Sequence, residues 1–173
     1  LPGASAAVTR AAAHARAAGL VVALSLCPTR AFVSAENLHR YAERARDLGA
    51  AFIQILEPKA AGHYAGRDVR LSEAQRRQLE GFSARLNTDP SARDLPSVSY
   101  PDWSTRALGC VGAGDRYIYI DTAGDLHACP FCRVPGIRAL DHDLPAAIEL
   151  LQAAGCPSAV SCTCDSSKCS ATA

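Results

Sequence analysis

Residues 20–26 read LVVALSL and residues 51–56 read AFIQIL, and these two apolar stretches decide the fold that we expect. Short continuous runs of this kind, rich in branched aliphatic residues, are typical of strands buried on both faces of a parallel sheet. We therefore predict one strand in each stretch, with little polar surface on either side of the sheet.

Helix patterns precede and separate the strands. Residues 5–18 are alanine-rich, residues 34–48 carry an apolar stripe behind Ser34 as the N-cap, and residues 72–86 begin with a Ser-x-x-Gln capping box. A third short strand is predicted at residues 98–100. Helix and strand thus alternate three times with short connections, which implies βαβ crossovers and a parallel sheet or barrel segment.

The pattern changes after residue 100. Residues 116–121 alternate in the manner of a strand, and residues 125–129 return as a second strand, so a β-hairpin is predicted. Gly124 lies in the turn, where we expect a positive φ. Asp143 is the predicted N-cap of a helix that ends at Ala154.

Charge and hydropathy exclude two classes of partner. The 173 residues include 18 basic and 17 acidic side chains, for a net charge of +1. Such a balance argues against binding that depends on excess positive charge, whether to nucleic acid or to an anionic membrane. The longest apolar run is far too short to span a bilayer. We predict no nucleic-acid partner, no membrane partner and a cytoplasmic location.

The cysteines carry the chemistry of the sequence. Cys27 is the only one in the first hundred residues and is predicted to be a small core residue. Cys110 precedes the hairpin, Cys129 and Cys132 follow it, and Cys156 follows the next helix. We expect the hairpin and the helix to bring these four thiols to one place, where they would form a metal site. The spacing alone leaves both a 4Fe–4S cluster and a structural zinc open, and favours either over disulfides.

Residues 109–130 read GCVGAGDRYIYIDTAGDLHACP, and this stretch resembles the start of the SPASM/twitch auxiliary-cluster region of radical S-adenosyl-L-methionine (SAM) enzymes. The pattern of that family is a Cys, a gap of roughly nine to fifteen residues, a Gly, four residues and a Cys. In this chain 13 residues separate Cys110 from Gly124, and four separate Gly124 from Cys129. The resemblance favours a 4Fe–4S cluster over zinc.

The resemblance also implies a domain organisation. Residues 1–105 are similar to the C-terminal half of a parallel (β/α) partial barrel of the TIM type. Residues 106–156 would be a small cysteine-rich hairpin-plus-helix domain of the twitch type, and residues 157–173 a flexible Ser- and Cys-rich tail. The sequence LEPKAAG at residues 56–62 resembles a strand-end turn common in these barrels.

Two departures from the family pattern limit what the chain is expected to do. The Cys-x3-Cys-x2-Cys motif that binds the SAM-cleaving cluster is absent, so we expect it upstream of Leu1 and expect this chain to be inactive alone. Cys162, Cys164 and Cys169 do not reproduce the run that holds a second auxiliary cluster. The single-cluster twitch arrangement is the closer match, and a second auxiliary cluster at these residues is left open.

The activity implied for the longer protein is reductive cleavage of SAM at a second 4Fe–4S cluster. The resulting 5'-deoxyadenosyl radical would attack a peptide or small-molecule substrate, with flavodoxin or ferredoxin as the electron donor. Ser25, Gln54 and Glu57, at predicted strand ends, are the candidate SAM contacts; local hydrogen bonding of these polar groups is the alternative. The alternative function is a zinc-stabilised binding module without catalysis.

Overall fold

The computed structural model describes residues 3–60, 62–108, 112–130 and 136–155. The chain is mixed α/β and contains a three-stranded parallel sheet. Its described residues fall into two compact units. The first comprises the described parts of Leu1–Pro58 and Val69–Trp103, and the second those of Lys59–Asp68 and Ser104–Ala173.

The first unit contains the parallel sheet and the helices that cover it. Its elements in chain order are α1 (Ala4–Ala17), β1 (Val22–Leu26), α2 (Ala35–Asp47), β2 (Ala50–Ile55), α3 (Glu73–Thr88) and β3 (Ser97–Ser99). A further helix, α4 (Pro101–Leu108), begins after Tyr100, the residue that follows β3. The strands are parallel in the order β1-β2-β3.

Local side-chain caps explain where α2 and α3 begin. The Ser34 hydroxyl accepts a hydrogen bond from the backbone N–H of Asn37 at 3.2 Å. Ser72 and Gln75 form a complete capping box, in which each side chain accepts from the other residue's backbone N–H. Both predicted helix starts are therefore confirmed.

The core of the first unit lies on one face of the sheet only. Leu38 of α2, Ile53 of β2 and Leu79 of α3 are at most 1% exposed and pack in one apolar cluster. On the other face, Ala23 and Ser25 of β1 are exposed, as are the serines at both ends of β3. The expectation of burial on both faces is wrong for the described residues, because no described helix covers this second face. We call it the open face.

The second unit is built on a small antiparallel sheet. Its elements are β4 (Tyr119–Ile120), β5 (Asp125–His127), β6 (Ile137–Arg138) and α5 (Leu144–Ala154), with strand order β4-β5-β6. Leu126 of β5 and the helix residues Ala147 and Leu151 form its apolar core. Short 3-10 turns occur at Gly62–Tyr64 and Ala139–Asp141 of this unit, and another occurs at Pro90–Ala92 of the first unit.

Several predictions for this unit are confirmed, and its strand β6 was not predicted. The turn residue Gly124 has φ 84°, and the Asp143 side chain caps α5. Strands β4 and β5 pair in antiparallel fashion but are shorter than predicted. Helix α4, which begins in the first unit, was not predicted either. The predicted tail at 157–173 lies outside the described residues. None of the described helices is long and apolar enough to cross a membrane.

Candidate functional site

The carboxyl ends of β1, β2 and β3 bring polar side chains together on the open face. Ser25 pairs with Gln54 in the strand register, and Gln54 pairs with Ser99. Paired residues of a parallel sheet share a face, so the three side chains form one row across the sheet. The Ser25 hydroxyl donates a long hydrogen bond of 3.5 Å to Gln54 Oε1. Two of the three predicted SAM contacts therefore lie side by side.

Glu57, the third predicted SAM contact, lies elsewhere. Its side chain is 4% exposed and faces α3, where Arg76 Nε donates to Oε2 at 3.1 Å. The Tyr100 hydroxyl donates to Oε1 at 2.6 Å. The carboxylate is therefore engaged on the helix-covered side of the sheet, away from the row on the open face. It links the end of β2 to α3 and to the residue after β3.

The first turn of α4 also holds the end of β2. Asp102 Oδ2 accepts a hydrogen bond of 3.0 Å from the backbone N–H of Glu57. Cys27, directly after β1, is exposed and not the predicted core residue. Partial burial, and then the Asp102 carboxylate, raise the pKa of the Cys27 thiol. Sequence reasoning missed Asp102 and Arg76, although Pro101 before Asp102 is a recognisable helix start.

Of the four predicted metal ligands, only Cys129 lies within the described residues. It is 2% exposed and packs in the apolar cluster of the second unit. Cys110, Cys132 and Cys156 lie outside the described residues, as do the three cysteines of the predicted tail. Among the described residues, no group of three or more His, Cys, Asp or Glu side chains is arranged to hold a metal ion.

Described segments next to Cys110, Cys129 and Cys156 contact each other. The backbone N–H of Ala113 donates to the carbonyl of Ala128 at 3.0 Å, one residue before Cys129. The Gln152 side chain, near the end of α5, donates to the carbonyl of Gly114 at 2.8 Å. Three segments are thus neighbours: the one that follows Cys110, the one that carries Cys129 and the one that leads to Cys156.

Close backbone approach holds the first of these segments in place. A Cβ at Gly112 would lie 2.8 Å from the carbonyl oxygen of Ala128. That distance is shorter than real Cβ contacts, so a side chain at position 112 would push the two segments apart. Glycine at this position therefore keeps the segment after Cys110 against the end of β5.

The turn between β4 and β5 is fixed by Asp121. Its Oδ1 accepts hydrogen bonds from the backbone N–H groups of Ala123 at 2.9 Å and Asp125 at 3.1 Å. Its Oδ2 lies 3.1 Å from Nε2 of His127. The hydrogen bond from Asp125, followed by that from His127, lowers the pKa of Asp121. An ionised Asp121 therefore orients the imidazole of His127.

Comparison with known proteins identifies no family for the chain. No family model matches the chain, and no curated protein matches its sequence.

Proposed function

We propose that the chain is the C-terminal part of a radical SAM enzyme and carries an auxiliary 4Fe–4S cluster on Cys110, Cys129, Cys132 and Cys156. One observation carries the proposal. Cys129 is buried beside the segment that follows Cys110, and that segment contacts the end of the helix that leads to Cys156. The cysteine spacing and the family resemblance of residues 109–130 supply the rest.

Chain length is compatible with this ligand set. Ala113 follows Cys110 by three residues, Cys132 follows Cys129 by three, and Cys156 comes four residues after Gln152. An extended chain covers about 3.3–3.6 Å per residue, so each of the three cysteines is within reach of a site beside Cys129. Four thiolates are the ligand set that a 4Fe–4S cluster requires, and the bound cluster would supply one-electron transfer.

The first unit supports the proposal through its open face. In a partial barrel of the TIM type, the face opposite the helices would be the inner face, where substrates bind at the carboxyl ends of the strands. Ser25 and Gln54 lie there and are the proposed SAM contacts. Glu57 would act from the helix-covered face of the sheet, where its bonds to Tyr100 and Arg76 hold the end of β2. The longer protein would also bind SAM and a second 4Fe–4S cluster, and would act on a peptide or small-molecule substrate. Flavodoxin or ferredoxin would be its electron donor, and its proposed location is the cytoplasm.

The small core of the second unit favours a second candidate, a zinc-stabilised binding module without catalysis. Only a few described residues form that core, with Leu126, Ala147 and Leu151 at its centre. Domains with so little apolar burial are commonly stabilised by a structural metal, and four thiolates suit tetrahedral Zn²⁺. The two candidates share the ligands and differ in the metal and in the role of the first unit.

We predict that the 173-residue chain produces no 5'-deoxyadenosine from SAM. This holds even after anaerobic reconstitution of its cluster and with a strong reductant supplied. The chain lacks the Cys-x3-Cys-x2-Cys ligands, and its four proposed ligands all follow β3. A longer form that carries the motif should produce 5'-deoxyadenosine, measured by chromatography of the reaction mixture. A product peak from the 173-residue chain would show that these cysteines hold the SAM-cleaving cluster instead.

A further inference from the structure

The two edges of the parallel sheet differ in how their outward backbone groups are bonded. The Leu26 carbonyl accepts a hydrogen bond of 2.9 Å from the N–H of Leu56, so it points towards β2. Because the backbone groups of successive residues alternate in direction along a strand, Ala23 and Ser25 point theirs away from β2, at the free edge. On β3, Val98 is the residue whose N–H and C=O point away from β2.

Asn87 of α3 closes the β3 edge. Its side-chain amide donates to the Val98 carbonyl at 2.9 Å, and its Oδ1 accepts from the Val98 N–H at 2.8 Å. One carboxamide thus makes both of the bonds that a neighbouring strand would make to Val98. Strand β3 has three residues, and Val98, in the middle, is the one that a further strand would need. Another strand cannot pair there without displacing Asn87.

The β1 edge has no such closure. The Tyr41 hydroxyl donates to the Ser25 carbonyl at 3.1 Å, and no other described group bonds to the outward backbone groups of Ala23 and Ser25. The strand reads VALSL, without the charged residues or prolines that protect exposed edges in natural proteins. A strand edge with free donors and acceptors is a site for pairing with another strand.

An apolar groove of about 670 Å³ adjoins β1 and is lined by α1, β1 and α2. Its apolar lining includes Val8, Ala12 and Ala15 of α1, together with Leu20 and Leu24. Ala12 is the buried residue of α1, whereas Val8 is 48% exposed. Helix α1 therefore has apolar surface available for a neighbour in the groove. The apolar side chains of a strand paired with β1 would find such a surface.

We propose that the sheet is extended at the β1 edge alone, by a strand that precedes α1 in the longer protein and pairs with β1 in parallel. Parallel neighbours need a crossover of a dozen or more residues, usually a helix, and α1 has 14 residues and leads into β1. Such a crossover packs its helix back onto the sheet beside the strands that it joins, which is where α1 lines the groove. The inference rests on the proposed function only for the existence of the longer protein.

Amide hydrogen exchange, followed by NMR of the ¹⁵N-labelled protein, tests this inference residue by residue. In the 173-residue chain, the Ser25 amide should exchange about ten-fold or more faster than the Leu24 and Leu26 amides, which donate to β2. In the longer protein, Ser25 should exchange as slowly as they do, because the added strand accepts its N–H. Ala23 should behave as Ser25 in both forms.

Val98 provides the internal control and the test of Asn87. Its amide should exchange slowly in both forms. Asn87→Ala should raise the exchange rate at Val98 by about ten-fold or more and leave that at Ser25 unchanged. Thr88→Ala, which removes the neighbouring hydroxyl that bonds to the Ala84 carbonyl, is the matched control and should leave both rates as in the parent.

Slow exchange of the Ser25 amide in the 173-residue chain would overturn the inference. If that protection grows with protein concentration, a second copy pairs at this edge; if it does not, the edge is closed within the chain. A longer protein that produces 5'-deoxyadenosine while Ser25 stays unprotected overturns the inference and leaves the proposed function standing. Protection of Ser25 in a longer protein that binds no cluster and forms no 5'-deoxyadenosine overturns the proposed function and supports the inference. If Asn87→Ala does not fold, the comparison of the two parent forms still decides.

Discussion

Cys129→Ala is expected to reduce the iron bound by the reconstituted protein to about a tenth of the parent value or less. Loss of a partner behind a metal ligand already costs about 10–100-fold in metal affinity, so loss of a ligand should cost at least as much. Alanine is chosen because Cys129 is 2% exposed in an apolar cluster, where a small apolar side chain is compatible with its surroundings. Iron and sulfide per chain, measured after anaerobic reconstitution and desalting, are the readouts.

Cys27→Ala is the matched control for this variant. Cys27 is exposed, lies in the first unit and is not a proposed ligand. It should therefore retain the iron content of the parent. Should Cys129→Ala also retain it, Cys129 would be a core residue only, and the proposed ligand set would be wrong.

Glu57→Ala is expected to lower the free energy of unfolding by about 3 kcal/mol, the lower end of the range for breaking a buried ion pair. The Glu57 side chain is 4% exposed but that of Arg76 is 33% exposed, so the orphaned guanidinium remains partly hydrated. The buried Tyr100 hydroxyl also loses its acceptor. Urea unfolding followed by the fluorescence of Trp103, the only tryptophan, measures the change.

Glu36→Ala is the comparison for Glu57→Ala. Glu36 pairs with Arg40 one turn along α2, and both side chains are more than half exposed. Exposed pairs of this kind contribute about 0–1 kcal/mol, so the stability should change little. Equal losses in the two variants would mean that the Glu57 network does not hold the strand ends.

Elements with local signals could be predicted from the sequence. The caps Ser34, Ser72 and Asp143 bond within their own first turn, so four consecutive residues suffice to predict each helix start. The φ of 84° at Gly124 follows in the same way from the needs of one turn.

Features that depend on distant pairing could not be predicted. Strand β6 has two residues and exists through its pairing with β5. The network around Glu57 joins residues 19 and 43 positions away, and no local pattern marks Arg76 or Tyr100 as its partners. Tertiary context determines such contacts.

The open face shows a different limit of sequence reasoning. An apolar run does not reveal whether a second layer covers it. Leu20 and Val21, counted within the first run, precede β1 and are more than 60% exposed. Ser25, a single polar interruption in that run, marked the face that the described helices leave uncovered.

The central claim is that the second unit holds an iron–sulfur cluster and not zinc. The most direct test is Mössbauer spectroscopy of the anaerobically reconstituted 173-residue chain, with metal and sulfide analysis of the same sample. We predict about four iron and four sulfide atoms per chain in a single 4Fe–4S spectrum. About one tightly bound zinc ion per chain, with no sulfide and no cluster spectrum, would contradict the claim.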